Sequence, residues 1–187
     1  MTYSPLLSFA IRDQFIIRPY TIAVTGHRNL QTIAAQRFVQ ESFRDLLEQL
    51  RQLHPEGLVA LSGLAEGTDT LFADEVLRLG LPLEGVIAST DLIEDFAPGP
   101  ARDHYLYLRD QSQVLHQLPY AERSAQAYTA LGYRLVACCD LLIAAWNGLP
   151  PVDSGGTGGV VAYALHRGCP VIHIHTLNYT IARLTTP

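Results

Sequence analysis

"LLIAAWNGLPPVDSGGTGGVVAYALHRGCPVIHIH", residues 141–175, decides the fold. It opens on six apolar residues, 141–146, too short a run for a helix and followed at once by turn residues. That reads as a buried strand. It closes on "PVIHIH", 170–175, a second strand. Between them "GGVVAYALHRG", 158–168, reads as a helix ended by glycine. Two apolar strands bridged by a helix run parallel, as a right-handed crossover. Four of the five positions 155–159 are glycine. Glycine loses more backbone entropy on folding than any other residue, so such a cluster has to offer something a Cβ would prevent. Two roles fit: backbone amides brought close to phosphate or ribose oxygens at a helix start, or a flexible surface turn.

The same grammar recurs upstream. "YTIAVTGHR" places a strand at about 21–25 running into a glycine turn. "TIAAQRFVQESFRDLLEQLRQLH" repeats Ile33, Phe38, Phe43, Leu46, Leu47, Leu50 and Leu53 near the helical period and stops at Pro55 and Gly57. "LVALSG" gives a strand at about 58–62, and "GTDTLFADEVLRLG" a helix with Thr68 or Asp69 as N-cap and Gly80 as terminator. "LEGVIAS" is a third strand, 90–104 a loop, "DHYLYLRDQ" a short helix and "QVLHQLP" a weaker fourth strand. "SAQAYTALGYRLVACCD" is the helix before 141–146. Continuous apolar strands alternating with helices predict an α/β fold: a single Rossmann-like, doubly wound parallel sheet with helices on both faces. We expect one domain over 20–187, preceded by an arm or edge strand over 1–19.

Composition narrows the function. Apolar residues are 48% and charged residues 17%, a globular balance. No apolar run approaches the length of a membrane span. "MTYSPLLSFAIRDQF" lacks the basic start and small-residue cleavage site of a signal peptide, and three cysteines with Cys138 and Cys139 adjacent make no disulfide framework. A cytoplasmic setting with free thiols is expected. All 13 basic residues are arginine, which excludes a Walker A or Schiff-base lysine. The net charge of −5 disfavours DNA as a partner. Arginine still suits bidentate phosphate recognition.

Three strands end in glycine-bearing loops, at 24–28, 61–69 and 144–159, and in a parallel sheet all three open on the carboxyl edge, where ligands bind. Their order resembles a known superfamily. "SGLAEGTDTLFADEVL" and "YTIAVTGHR" are similar to segments of the DNA-processing protein A (Smf) family. "YRLVACCDLLIAAWNG" with "GGTGGVVAYALHRGCPVIHI" resembles that family's later half and the "PGGxGTxxE" region of the LOG phosphoribohydrolases. Together these define the SLOG superfamily of Rossmann-like nucleotide-ligand domains, and the likeness runs over about residues 20–176. It implies a pocket for a nucleotide or nucleotide-derived ligand and a homodimer. It departs where the LOG glutamate falls on Ala162 and the threonine on Gly159. A phosphoribohydrolase needs a carboxylate there, so binding or sensing is expected ahead of hydrolase or transferase chemistry at an N-glycosidic or phosphoribosyl bond.

The expected ligand-binding set is Thr25, Gly26, His27, Arg28, Ser62, Gly63, Glu66, Gly67, Thr68, Asp69, Arg134, Trp146, Gly155, Gly156, Thr157, Gly158 and Gly159. His27 is a ligand partner or a turn histidine; Arg28 a phosphate partner or a surface ion pair. Asp69 is a helix cap or a catalyst. Glu66, mid-loop, is the candidate general base or ribose-hydroxyl acceptor. The related families place an arginine like Arg134 towards the ligand. Trp146 stacks on a base or belongs to the core. His173 and His175 share one strand face but lack a third ligand, so no metal is expected, and no cofactor is required.

Overall fold

The computed structural model describes residues 18–150 and 155–184. Among these described residues, seven strands form one sheet: β1 (Tyr20–Gly26), β2 (Leu58–Ser62), β3 (Leu83–Ile87), β4 (Val114–Gln117), β5 (Leu141–Trp146), β6 (Val171–His175) and β7 (Thr180–Leu184). Their order is β4-β3-β2-β1-β5-β6-β7, and each neighbouring pair is parallel except β6 with β7. Five helices connect them: α1 (Ile33–Leu53), α2 (Thr68–Arg78), α3 (Pro100–Gln111), α4 (Ala125–Cys138) and α5 (Thr157–His166). The expected doubly wound α/β fold is therefore present. Of the expected N-terminal arm, residues 1–17 lie outside the described residues, as do 151–154 of the quoted stretch.

Strand alternation splits the core into two layers. One face of the sheet offers Ile22, Val24, Ala60, Leu83, Ile143 and Ile174 to Val39, Phe43 and Leu47 of α1, Phe72 and Val76 of α2, and Leu108 of α3. The other offers Ala23, Leu61, Val86, Leu142, Ala144 and Val171 to Leu131 and Leu135 of α4 and Val160, Val161 and Ala164 of α5. A Cβ on Gly132 would meet Val160 Cγ2 at 2.4 Å, so that glycine sets the close approach of α4 and α5.

Several elements differ from expectation. The apolar stripe of α1 overreaches: Ile33 and Leu53, at its two ends, are exposed. Its cap is Thr32, whose hydroxyl accepts from the Ala35 amide at 3.0 Å. The N-cap of α2 is Gly67, not Thr68 or Asp69, which are its first helical residues. Helix α3 begins at Pro100, inside the stretch expected as loop, because proline at the first helical position gives up no internal hydrogen bond. A 3₁₀ turn (Leu92–Asp95) also lies in that stretch. Strand β7 was not expected at all. Among the described residues, no helix is long and apolar enough to cross a membrane.

The winding reverses between β1 and β5. Strands β2, β3 and β4 build out on one side of β1, and β5 and β6 on the other. At such a switch point the connecting helices leave in opposite directions, and a crevice opens beyond the carboxyl ends of the two strands.

Candidate functional site

A crevice of about 790 Å³ lies at that point. Its floor is Val24, Thr25 and Gly26 at the end of β1 and Trp146 at the end of β5. His27, Arg28, Ala65 and Asp69 form one wall; Ala125, Tyr128, Leu131, Gly132 and Leu135 of α4 form another. The rim includes Asn147, Leu149, and Gly155 to Gly158 at the start of α5.

The three glycine loops converge through His27. Its amide donates to Ala145 O at 3.0 Å, and its ring Nε2 accepts from the Asn147 amide at 3.2 Å, which ties the β1 loop to the β5 loop. Its carbonyl accepts from both the amide of Thr68, at 3.1 Å, and the Thr68 hydroxyl, at 2.9 Å, which ties it to the β2 loop. Two glycines make this possible. A Cβ on Gly67, where φ is +93°, would sit 2.0 Å from Arg28 O. A Cβ on Gly26 would sit 2.6 Å from Ala145 O and 2.4 Å from Thr68 Cγ2. These two glycines thus let backbone meet backbone, where the sequence reading has them meeting a ligand. Ser62 and Thr68 are fully buried and also act within the frame: Ser62 Oγ donates to Asp69 O at 3.1 Å and accepts from the Leu64 amide.

Asp69 is the buried carboxylate of the crevice, 8% exposed. Gly63 makes room for it, since a Cβ there would lie 2.7 Å from Asp69 Oδ2 and 2.9 Å from Leu131 Cδ2. The carboxylate accepts from the Ala65 amide at 3.4 Å, and among the described residues it forms no ion pair. Burial pushes its pKa up to about 7, against the pull of the Ala65 and Gly63 amides and the charge of Arg28. Glu66, three residues earlier, is exposed and does not line the crevice.

Arg28 lies over the Tyr128 ring, 4.8 Å from its centroid, and pairs with Asp95 Oδ2 at 2.9 Å. Asp95 also receives the Tyr128 hydroxyl and Arg123 Nη1, the latter at 2.8 Å; Arg123 reaches Asp91 at 3.3 Å. Burial raises the Asp95 pKa, but the hydrogen bonds from Tyr128 and Arg123 and the charge of Arg28 outweigh it and hold the carboxyl below the usual range. This cluster was missed in the sequence. The signal available was positional: the loop after β3 also ends on the carboxyl edge.

Trp146 belongs to the core and also lines the crevice. Its ring is buried and packs on His173, with centroids 3.7 Å apart, yet it lines the crevice. Its Nε1–H donates to Leu149 O at 3.3 Å. His173 Nε2 donates to Trp146 O at 3.2 Å, and burial lowers the His173 pKa. Among the described residues, no three His, Cys, Asp or Glu side chains form a metal cluster. Arg134 lies away from the crevice, on a second cavity of about 160 Å³ beside Glu84 and His116. The crevice face of α4 runs through 125, 128, 131, 132 and 135, and residue 134 is one position, about 100°, off it. Gly159 and Ala162 do not line the crevice either, whereas Gly155, Gly156, Thr157 and Gly158 do. Gly158 is helical, at the start of α5, and not in a left-handed conformation. The first-turn amides of a helix have no partner within it and carry its positive end.

No family model and no curated protein matches this chain. Solved structures do. DNA processing protein A (DprA) from Streptococcus pneumoniae matches with a TM-score of 0.59 and 20% identity, over 84% of this chain and 51% of that one. DprA from Helicobacter pylori, described for its single-stranded DNA binding mode, matches with a TM-score of 0.56 and 17% identity, over 83% and 65%. The molybdenum cofactor binding protein from Rippkaea orientalis matches with a TM-score of 0.54 and 19% identity, over 84% and 77%. The chain thus spans about half to two thirds of the DprA chains. At these identities the likeness shows the fold, and it is the Rossmann-like α/β fold that the motifs implied.

One expectation is corrected by these matches. The net charge of −5 points away from DNA, yet a protein of this fold, H. pylori DprA, binds single-stranded DNA. Net charge is a sum over the whole chain, whereas DNA binding depends on where the cations lie. The value of −5 therefore does not exclude it.

Proposed function

We propose that the crevice between β1 and β5 binds a nucleotide or nucleotide-derived small molecule, with residues 25–28, 65, 69, 146–147 and 155–158 as its frame. The observation that carries the reading is the meeting of three glycine loops and the start of α5 around one crevice at the switch point. The α5 start supplies backbone amides suited to phosphate, Arg28 and Arg123, both paired with Asp95, add positive charge to the crevice, and Trp146 and Tyr128 offer aromatic surface. Solved relatives of the fold include a molybdenum cofactor binding protein, which supports a small-molecule role, and a single-stranded DNA binder, whose ligand is itself built of nucleotides.

A thermal-shift and calorimetry panel tests this: nucleoside mono-, di- and triphosphates, cyclic nucleotides, dinucleotides and a short single-stranded oligonucleotide. A ligand at 100 times its Kd raises stability by about 2.7 kcal/mol. Absence of stabilisation across the panel refutes the proposal. A second reading, an enzyme acting at an N-glycosidic or phosphoribosyl bond, rests on Asp69, a buried carboxylate in the crevice whose pKa of about 7 suits acid–base work at neutral pH. Product formation from a bound nucleotide, lost in Asp69→Asn, separates the enzyme from the binder.

A further inference from the structure

Asp69 gives the crevice two unlike ends. The sheet order β2-β1-β5 puts the loop carrying Asp69 two strands from the loop carrying Gly155 to Gly158, about 10 Å across the sheet edge. The α5 end presents glycines and helix amides and contains no charged side chain from 155 to 160. The β2 end presents a carboxylate 8% exposed, held by backbone amides alone. A carboxylate has about four acceptor sites. Asp69 therefore keeps acceptor capacity for whatever fills the crevice.

The charged and titratable groups around it come from every neighbouring element. They are His27 and Arg28 on the β1 loop, Asp95 on the loop after β3, Arg123 and Tyr128 on and before α4, and the exposed Glu66 on its own loop. Arg28 is occupied by Asp95, so Asp69 is left without a direct cation. An anionic group placed against Asp69 would meet repulsion, whereas hydroxyl donors would complete its hydrogen bonding. Aromatic surface for a base is offered in the same crevice by Trp146 at the end of β5 and Tyr128 on α4.

The geometry points to Asp69 as the residue that selects and orients the ligand, its ionised carboxylate accepting from the vicinal hydroxyls of a ribose while the phosphate lies at the start of α5. This deepens the nucleotide reading and rests on it. The crevice then discriminates ribonucleotides from deoxy analogues. Binding also releases a proton, because accepting those hydrogen bonds favours the ionised form. Affinity therefore rises with pH while Asp69 is still partly protonated in the free protein.

The test is calorimetric titration of the folded chain with AMP, GMP, CMP and UMP and their 2′,3′-dideoxy counterparts, at pH 6 and pH 8. The expected result is about a tenfold gain in affinity from pH 6 to pH 8 for the ribonucleotide that binds. In Asp69→Asn the extra pH dependence disappears and affinity at pH 8 falls about tenfold or more. The phosphate's own titration acts equally on parent and variant, so their ratio isolates Asp69. The dideoxy counterpart binds weakly to the parent and loses nothing further in the variant. If ribonucleotides bind but Asp69→Asn or removal of the hydroxyls leaves affinity unchanged, this inference fails and the nucleotide reading stands. If none of the four binds at either pH, the inference fails together with the monophosphate reading on which it rests.

Discussion

Replacing Gly67 with alanine should break the junction that holds the site together. Gly67 has φ of +93° and ψ of −118°, a conformation almost confined to glycine, and a side chain forced into it costs about 1–3 kcal/mol. The added methyl would also lie 2.0 Å from Arg28 O and 2.5 Å from its carbonyl carbon. Both atoms are backbone, so no rotamer change relieves the overlap. The β1 and β2 loops must separate, and the two hydrogen bonds from Thr68 to His27 O weaken, each worth about 1 kcal/mol. The sum is a loss of at least about 3 kcal/mol, or a fall in Tm of about 6–12 °C for a domain of this size. Gly80→Ala is the matched control: φ there is +67°, but no atom lies within 4 Å of the added Cβ. It should lose only about 1 kcal/mol. Urea and thermal unfolding of both variants measure the difference. If Gly67→Ala falls within about 1 kcal/mol of Gly80→Ala, the close approach is not what requires this glycine.

Further outcomes follow from other residues. Asp69 holds its proton more tightly folded than unfolded, so the stability it confers is present below about pH 4 and is lost as pH rises towards about 7. The loss is on the order of 4 kcal/mol; Asp69→Asn removes that slope in urea titrations at pH 5 and pH 8, and equal slopes in parent and variant would contradict the burial argument. Gly158→Val should weaken nucleotide binding at least about tenfold, or 1.4 kcal/mol, with little change in stability, because position 158 is helical and valine is no worse a helix former than glycine. Gly57→Val, at the amino edge of the sheet with φ of +123°, should destabilise the fold and leave affinity in the folded fraction unchanged; equal affinity in Gly158→Val and the parent would refute the role given to the glycines. Cys139 and Cys169 have sulfurs 3.7 Å apart, and the hydrogen bond from Cys139 holds the Cys169 thiol below its usual pKa. Mild oxidation with glutathione disulfide should join them, with loss of about 2 Da and of both their alkylation sites while Cys138 stays alkylatable, whereas persistence of all three free thiols would refute the pairing.

The sequence carried most of the fold because β1, β2, β5 and β6 are apolar runs buried by helices on both sides. Strand β7 was illegible for the converse reason: Thr180 to Arg183 are exposed, and its pairing depends on β6 rather than on its own pattern. Site legibility followed the same division. Loops at strand ends could be placed from topology, and they do converge. Choosing between Glu66 and Asp69 required knowing which way the first turn of α2 faces, which is set by Gly67 packing on Arg28. The cluster of Arg28, Asp95, Arg123 and Tyr128 joins segments up to a hundred residues apart, each of which looks ordinary alone. Arg134 sits one helical position off the crevice face, a placement only the packing of α4 could reveal.

The central claim is that a nucleotide occupies the crevice at the β1–β5 switch point, and amide NMR of isotope-labelled protein titrated with the binding member of the nucleotide panel tests it most directly. The account predicts the largest shift changes at the amides of Gly26 to Arg28, Asn147 and Gly155 to Val160, with those around Gly57 and Gly80 at the far edge unmoved. Saturable binding whose shifts fall elsewhere, with these amides unperturbed, would contradict it.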